Sequence, residues 1–211
     1  MSKAPSRQVL LASAGPAARA PAGFAGFLTG PAGVLLSFLW GLAEATLFFI
    51  VPDVLLSLVA VFSLRRASRH IAAAVAGAAA GGAVMFLWAQ GNPESARAAV
   101  KKVPFVTEAM FARVDAGFQK SGMLAVYLGP MTGTPYKIYA LAAPNFTRLT
   151  PFVFATIPAR GWRFILVSLF SAAGAGVLRR RVNPSPARLA CWHALAWTAF
   201  YAFYWTRIAM S

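Results

Sequence analysis

Carboxylates, cysteine and histidine are what this chain has least of. Its 211 residues include five Asp and Glu, two His and one cysteine, Cys191. A single cysteine excludes an intramolecular disulfide and any cysteine-built metal cluster. The two histidines, His70 and His193, lie far apart, and no HExxH, GxSxG or P-loop spacing occurs. No catalytic residue, metal site or cofactor is therefore expected. Charge is scarce as well, at 12% of residues against 59% hydrophobic. The 20 Lys and Arg still give a formal net charge of +15. In a soluble chain that excess points to nucleic acid. Here the basic residues sit in short clusters at the ends of apolar runs, as topology signals do. Anionic lipid headgroups, and not nucleic acid, are the expected partner. The fold class that follows is an all-α integral membrane protein with one compact domain.

The stretch Pro31–Leu64 is apolar almost throughout, yet it carries Glu44 and a Pro52–Asp53 step and no Lys or Arg. As a straight helix it would run roughly 50 Å, well beyond the ~30 Å a hydrocarbon core requires. Both flanks are basic, with Lys3, Arg7 and Arg19 before it and Arg65, Arg66 and Arg69 after it. Positive charge marks the cytoplasmic side, so both ends belong on one face. A re-entrant hairpin over residues 31–64, broken at Pro52, satisfies these constraints. Broken backbone at membrane depth must be covered by protein or line a wet cavity.

Residues 1–30, rich in Ala, Pro and Gly and without an acid, read as a disordered cytoplasmic tail. The remainder, residues 31–211, forms the membrane domain. After a turn over RRASRH, residues 71–90 make an uncharged span in which Gly77 and Gly81 form a small-xxx-small face. That face packs on the hairpin or, alternatively, meets lipid. Residues 92–121 mix charge with Phe105, Met110, Phe111 and Phe118 and read as an interfacial amphipathic segment interrupted at Pro104. Val106, Met110, Arg113 and Gly117 do not make one clean face.

Residues 122–144 are apolar again but broken at Gly129–Pro130 and at Gly133-Thr134-Pro135, with Lys137 following. Prolines so close cannot share a regular helix. A second re-entrant hairpin from the opposite face is expected, the alternative being a kinked span with Lys137 snorkelling to the interface. Residues 150–178 form the next span, with Pro158 inside it and Arg160 and Arg163 on one helical face. Such arginines face a cavity or a partner unless they sit near one end. Residues 189–210 form the last span, with Tyr201, Tyr204 and Trp205 as an interface belt and His193 as a packing residue. The halves are alike, each with a Pro-broken hairpin followed by a span. This inverted-repeat plan has two opposed re-entrant hairpins and about three transmembrane helices.

The acid and Pro-Asp step of the first hairpin resemble the DedA (VTT, or SNARE-associated) membrane proteins. So do Gly129-Pro130 through Pro135-Tyr136-Lys137, Ala142-Ala143, and Ala159-Arg160-Gly161-Trp162-Arg163-Phe164. The series looks most like a short branch of that family and covers residues 31–178. The resemblance implies opposed re-entrant hairpins, a lipid-translocating activity and, in some members, coupling to protons. Where the better-known branch has an arginine beside Pro-Gly, this chain has Lys137 as the nearest cation.

The expected function is a lipid transporter, flippase or scramblase-like, for an anionic phospholipid or polyprenyl phosphate. Lys137, Arg160 and Arg163 would receive the phosphate, and Glu44 and Asp53 would pair with those cations or carry protons. A lipid-modifying enzyme is the less favoured class, since nothing supplies its nucleophile. A non-transporting scaffold or envelope-maintenance protein, its buried charges serving only packing, is the other alternative. The expected location is a bacterial-type plasma (inner) membrane with the N-terminus cytoplasmic, and the plan is compatible with a homo-oligomer.

Overall fold

The computed structural model describes residues 23–129 and 133–209. Pro130, one of the expected breaks, and residues 1–22 of the expected tail lie outside the described residues. Ten α-helices and one 3-10 turn account for most of what is described. Residues 24–29, assigned above to a disordered tail, form a short helix α1 (Phe24–Thr29) whose Leu28 is buried. The tail reading fails at that end because Leu28 finds an apolar pocket among Leu55, Val59 and Ala60.

The first long stretch folds as a helix, a break and a second helix. Pro31 opens α2 (Pro31–Thr46) at the one helical position where its missing N–H costs nothing. The chain is non-helical over residues 47–52, and Pro52 then precedes α3 (Asp53–Phe62). A single extended residue, Ser63, turns the chain into α4 (Leu64–Gly91) and accepts the Arg66 N–H at 3.4 Å. The RRASRH segment expected as a turn is therefore helical, because one capping serine suffices to reverse the chain.

Helices α2 and α4 run parallel. Ser37 meets His70, Gly41 meets Ala74 and Ala45 meets Gly81, the partner's number rising with its own. Small residues set this spacing. A Cβ on Gly41 would strike the Ala74 carbonyl, and one on Gly77 the Phe38 carbonyl. The Gly77–Gly81 face thus packs on the hairpin and is not turned to lipid.

Helices α5 (Pro93–Lys101) and α6 (Glu108–Ser121) follow, separated by a bend in which Phe105 takes a positive φ of 67°. The buried face of α6 is Met110, Phe111, Val114 and Phe118. It is rotated from the positions that gave no clean face in the sequence. A short α7 (Leu124–Leu128) leads to the second break, and α8 (Tyr136–Ala142) leaves it. These arms, 5 and 7 residues long, are much shorter than those of the first hairpin.

The long α9 (Leu149–Val182) runs antiparallel to α4, with Phe152 beside Phe86 and Phe164 among Ile71, Ala74 and Val75. Pro158 lies inside it without ending it. The last helix, α10 (Pro186–Ala209), returns along α3, pairing His193 with Ser57 and Tyr201 with Val51. Among the described residues, α4 and α9 are long and apolar enough to cross a membrane. The expected third span, α10, has 24 residues but is not among them, because His193 and its many Trp and Tyr residues make its uncharged stretch, residues 189–206, less apolar.

Candidate functional site

Two neighbouring glycines on α4 bring the breaks together. Ala45, at the end of α2, packs on Gly81, and the Tyr136 ring at the start of α8 lies over Gly82. A side chain at Gly82 would collide with the Tyr136 hydroxyl, so the second break reaches this level only because that position is glycine. The first break arrives along the N-terminal part of α4. The second is carried by α8, which, with the 3-10 turn after it, also packs on α4.

The charged residues singled out in the sequence meet here. Glu44 stands in the last turn of α2 and Asp53 opens α3. Arg160 and Arg163, one turn apart on α9, face them: Arg160 pairs with Glu44, and Arg163 with Asp53. Neither arginine snorkels. The Arg160 guanidinium is held between aromatic faces, 5.1 Å from the Tyr136 ring and 4.9 Å from the Phe164 ring, contacts that favour a cation over the ring quadrupole. Tyr136 is fixed in turn by a 2.6 Å hydrogen bond to the Thr156 hydroxyl. The Asp53 carboxylate sits at the first position of α3, where the helix dipole favours negative charge.

Lys137 is different. It is 1% exposed, so it does not reach the interface, and its ammonium donates to the Phe48 carbonyl of the first break at 3.0 Å. It belongs to no ion pair among the described residues. The cluster therefore carries one cation more than its carboxylates match. Two buried atoms within it lack any partner, Asp53 Oδ1 and Arg160 Nε. Unsatisfied buried polar atoms are costly.

A cavity of about 310 Å³ opens beside the cluster. Glu44, Asp53, Lys137 and Arg163 line one side, and the other side is aromatic, from Phe49, Phe105, Trp197, Phe200, Tyr201, Tyr204 and Trp205. Arg160 does not line the cavity. Arg163 reaches the cavity, its side chain 18% exposed while that of Asp53 is 1% exposed. Of the expected breaks, Gly133 takes a left-handed φ of 72° that disfavours any side chain, Pro135 precedes α8, and Gly129 lies so close to the Tyr139 ring that a Cβ would clash.

Sequence reasoning missed the aromatic wall. Tyr201, Tyr204 and Trp205 looked like an interface belt, but the Tyr201 hydroxyl accepts the Val51 N–H at 2.9 Å and the Tyr204 hydroxyl donates to the Gly133 carbonyl at 2.9 Å. The one available signal was their i, i+3, i+4 spacing, which puts all three on one face. The histidines stay outside the cluster. His70 Nδ1 lies 2.9 Å from the Ser37 hydroxyl, and His193 Nε2 lies 2.7 Å from the Ser57 hydroxyl. Comparison with protein-family models, curated proteins and solved structures finds no match to this chain. The arrangement holds one ammonium with no carboxylate partner among the described residues, one partly exposed guanidinium and two buried carboxylates.

Proposed function

We propose that this chain is a multi-pass membrane lipid transporter, flippase or scramblase-like, acting on an anionic phospholipid or polyprenyl phosphate. The observation that carries the reading is Lys137, a buried ammonium without a carboxylate, facing a cavity beside two buried ion pairs. A phosphate cannot cross hydrocarbon bare. In this reading the headgroup enters the cavity, takes Lys137 and the open side of Arg163, and leaves its chains in lipid. The phosphate then competes with Asp53 for Arg163, and in this reading substrate binding is coupled to proton uptake.

The membrane reading rests on α4 and α9 and on the two breaks, which we take as the tips of opposed re-entrant hairpins in an inverted-repeat arrangement. The resemblance to DedA proteins supports the same plan. Arg65, Arg66 and Arg69 begin α4, and Arg179, Arg180 and Arg181 end the antiparallel α9, so six arginines gather at one end. By the positive-inside rule that end is cytoplasmic, in a bacterial-type plasma membrane.

The test is translocation of fluorescent phospholipid and of polyprenyl phosphate in proteoliposomes, with and without a pH gradient. Wild-type protein should move one of them, and Glu44→Gln and Arg163→Ala proteins, folded and inserted, should not. Equal rates in all three would sink the proposal. One observation favours a second reading, a non-transporting scaffold: each arginine of the cluster already has its own carboxylate. Buried pairs of this kind can fix packing alone. A scaffold predicts that exchanging the members of the Glu44–Arg160 pair retains all function.

A further inference from the structure

The helix that closes the cavity is held at its two ends in different ways. Near its start, α10 is anchored on α3. Leu189 packs against Val61 and Ala175, and Ser57 joins both His193 and the Trp197 indole. The turn before it contains Asn183 in a left-handed conformation followed by Pro184. Near its other end, α10 touches the breaks through few contacts. Tyr201 holds Val51 of the first break, Tyr204 holds Gly133 of the second, and the Trp205 ring stacks on Phe105 at 5.0 Å between centroids and meets Phe49 of the first break at 6.0 Å. The opposite face of this segment is open, with Phe203 65% exposed. One wall of the cavity is thus a helix with the charged cluster on one side and lipid-facing residues on the other.

We propose that the C-terminal half of α10 is a lateral gate, pivoting about its Ser57-anchored half and latched by Tyr201 and Tyr204. The inference rests on the transporter reading for its substrate but not for its geometry. A lipid must bring a headgroup to Lys137 while its chains remain in hydrocarbon, so an entrance at the side is required. Swinging α10 away breaks two hydrogen bonds and the Trp205 ring contacts with Phe105 and Phe49, whereas moving α2 or α4 would disrupt the glycine-packed core. Because Tyr201 and Tyr204 hold different breaks, release of the gate also frees both break backbones at once. The gate and the charged floor therefore respond together. The Phe105 backbone, held at positive φ, presents the ring that Trp205 covers, so the bend between α5 and α6 is the fixed jamb.

The experiment uses full-length protein with Cys191→Ser, so that a thiol at Val167→Cys, which lines the cavity, is the sole reporter. Its rate of labelling by a maleimide reads gate opening without reference to transport. Tyr201→Phe with Tyr204→Phe should label roughly tenfold faster, the scale set by loss of two modest hydrogen bonds. Unchanged labelling in folded protein overturns the gate. A second variant covers the case in which the double change does not fold. Phe105→Cys with Trp205→Cys, joined by a short cleavable bis-maleimide, should lose lipid movement and regain it on cleavage. Movement that persists when cross-linked also overturns the gate. If labelling responds as expected but no lipid moves in any state, the gate stands and the transporter reading falls.

Discussion

Arg160 and Glu44, 116 residues apart in the chain, meet as a buried pair with neither side chain more than 4% exposed. The pair joins α9 to the end of α2 at the level where both breaks converge. Removing one member leaves the other charged and dry, which costs about 3–5 kcal/mol. Glu44→Gln should therefore destabilise the protein by that amount in denaturant titrations in mild detergent. Glu44→Gln combined with Arg160→Met should recover most of the loss. Additive losses in the double variant would show that the two side chains are not coupled.

Lys137 should behave in the opposite way. Methionine there removes a buried ammonium and one hydrogen bond to the Phe48 carbonyl, terms of opposite sign. Stability is expected to stay within about 1 kcal/mol of wild type, because the desolvation relieved offsets the bond lost. Lipid movement should fall at least tenfold, on the scale of a charged hydrogen bond to the phosphate. A stability loss as large as that of Glu44→Gln would mean that Lys137 is structural.

Glycine positions separate packed from open helix faces. Gly77→Val drives a side chain into the Phe38 carbonyl, and should cost at least the upper end of the roughly 1–3 kcal/mol typical of overpacking. A methyl group at Gly174 would meet nothing within 4 Å, so Gly174→Ala should be neutral or stabilising by up to about 1 kcal/mol through helix propensity. Thermal unfolding of both proteins in the same detergent checks the contrast.

Away from α4 and α9, Glu108 clips α6 to α5. Lys101 and Arg97 both bind its carboxylate, and these hydrogen bonds hold it below the ordinary glutamate range. A depressed folded-state pKa contributes stability above the unfolded value, and that contribution is lost as pH falls through the folded one. The bend between Lys101 and Glu108 should thus become more susceptible to an acid-active protease as pH drops below the glutamate range. Glu108→Gln should show the susceptibility already at neutral pH and little change on acidification. Because the site is exposed, high salt should mimic the acid effect.

The breaks were legible because Pro and Gly act locally. Pro52, Gly133 and Pro135 interrupt helices whatever surrounds them. The one-turn spacing of Arg160 and Arg163 gave a shared face for the same reason. Pro158 does not break its helix, since a long helix packed along α4 tolerates one proline that a marginal helix would not. The partners of each charge were not legible: nothing local links Glu44 to Arg160 in preference to Arg163. The aromatic wall stayed hidden because Tyr201 and Tyr204 satisfy their hydroxyls on backbone atoms of distant breaks, and a tyrosine at a membrane surface has the same composition signal. The face of α6 escaped for a simpler reason, a register chosen from Val106 and not from Phe111.

The order of the pairs along the chain has a consequence for biosynthesis. Glu44 precedes Arg160 by 116 residues and Asp53 precedes Arg163 by 110. At typical synthesis rates of about 5–20 residues per second, the acids leave the ribosome roughly 5–25 s before their arginines. During that interval α2 and α3 have no counter-charge of their own, and a bare carboxylate resists entry into lipid. On the proposed membrane reading, the first hairpin waits at the translocation machinery until α9 arrives. Insertion of the N-terminal half is completed by the C-terminal half, and a nascent chain truncated before Arg160 should be retained and degraded.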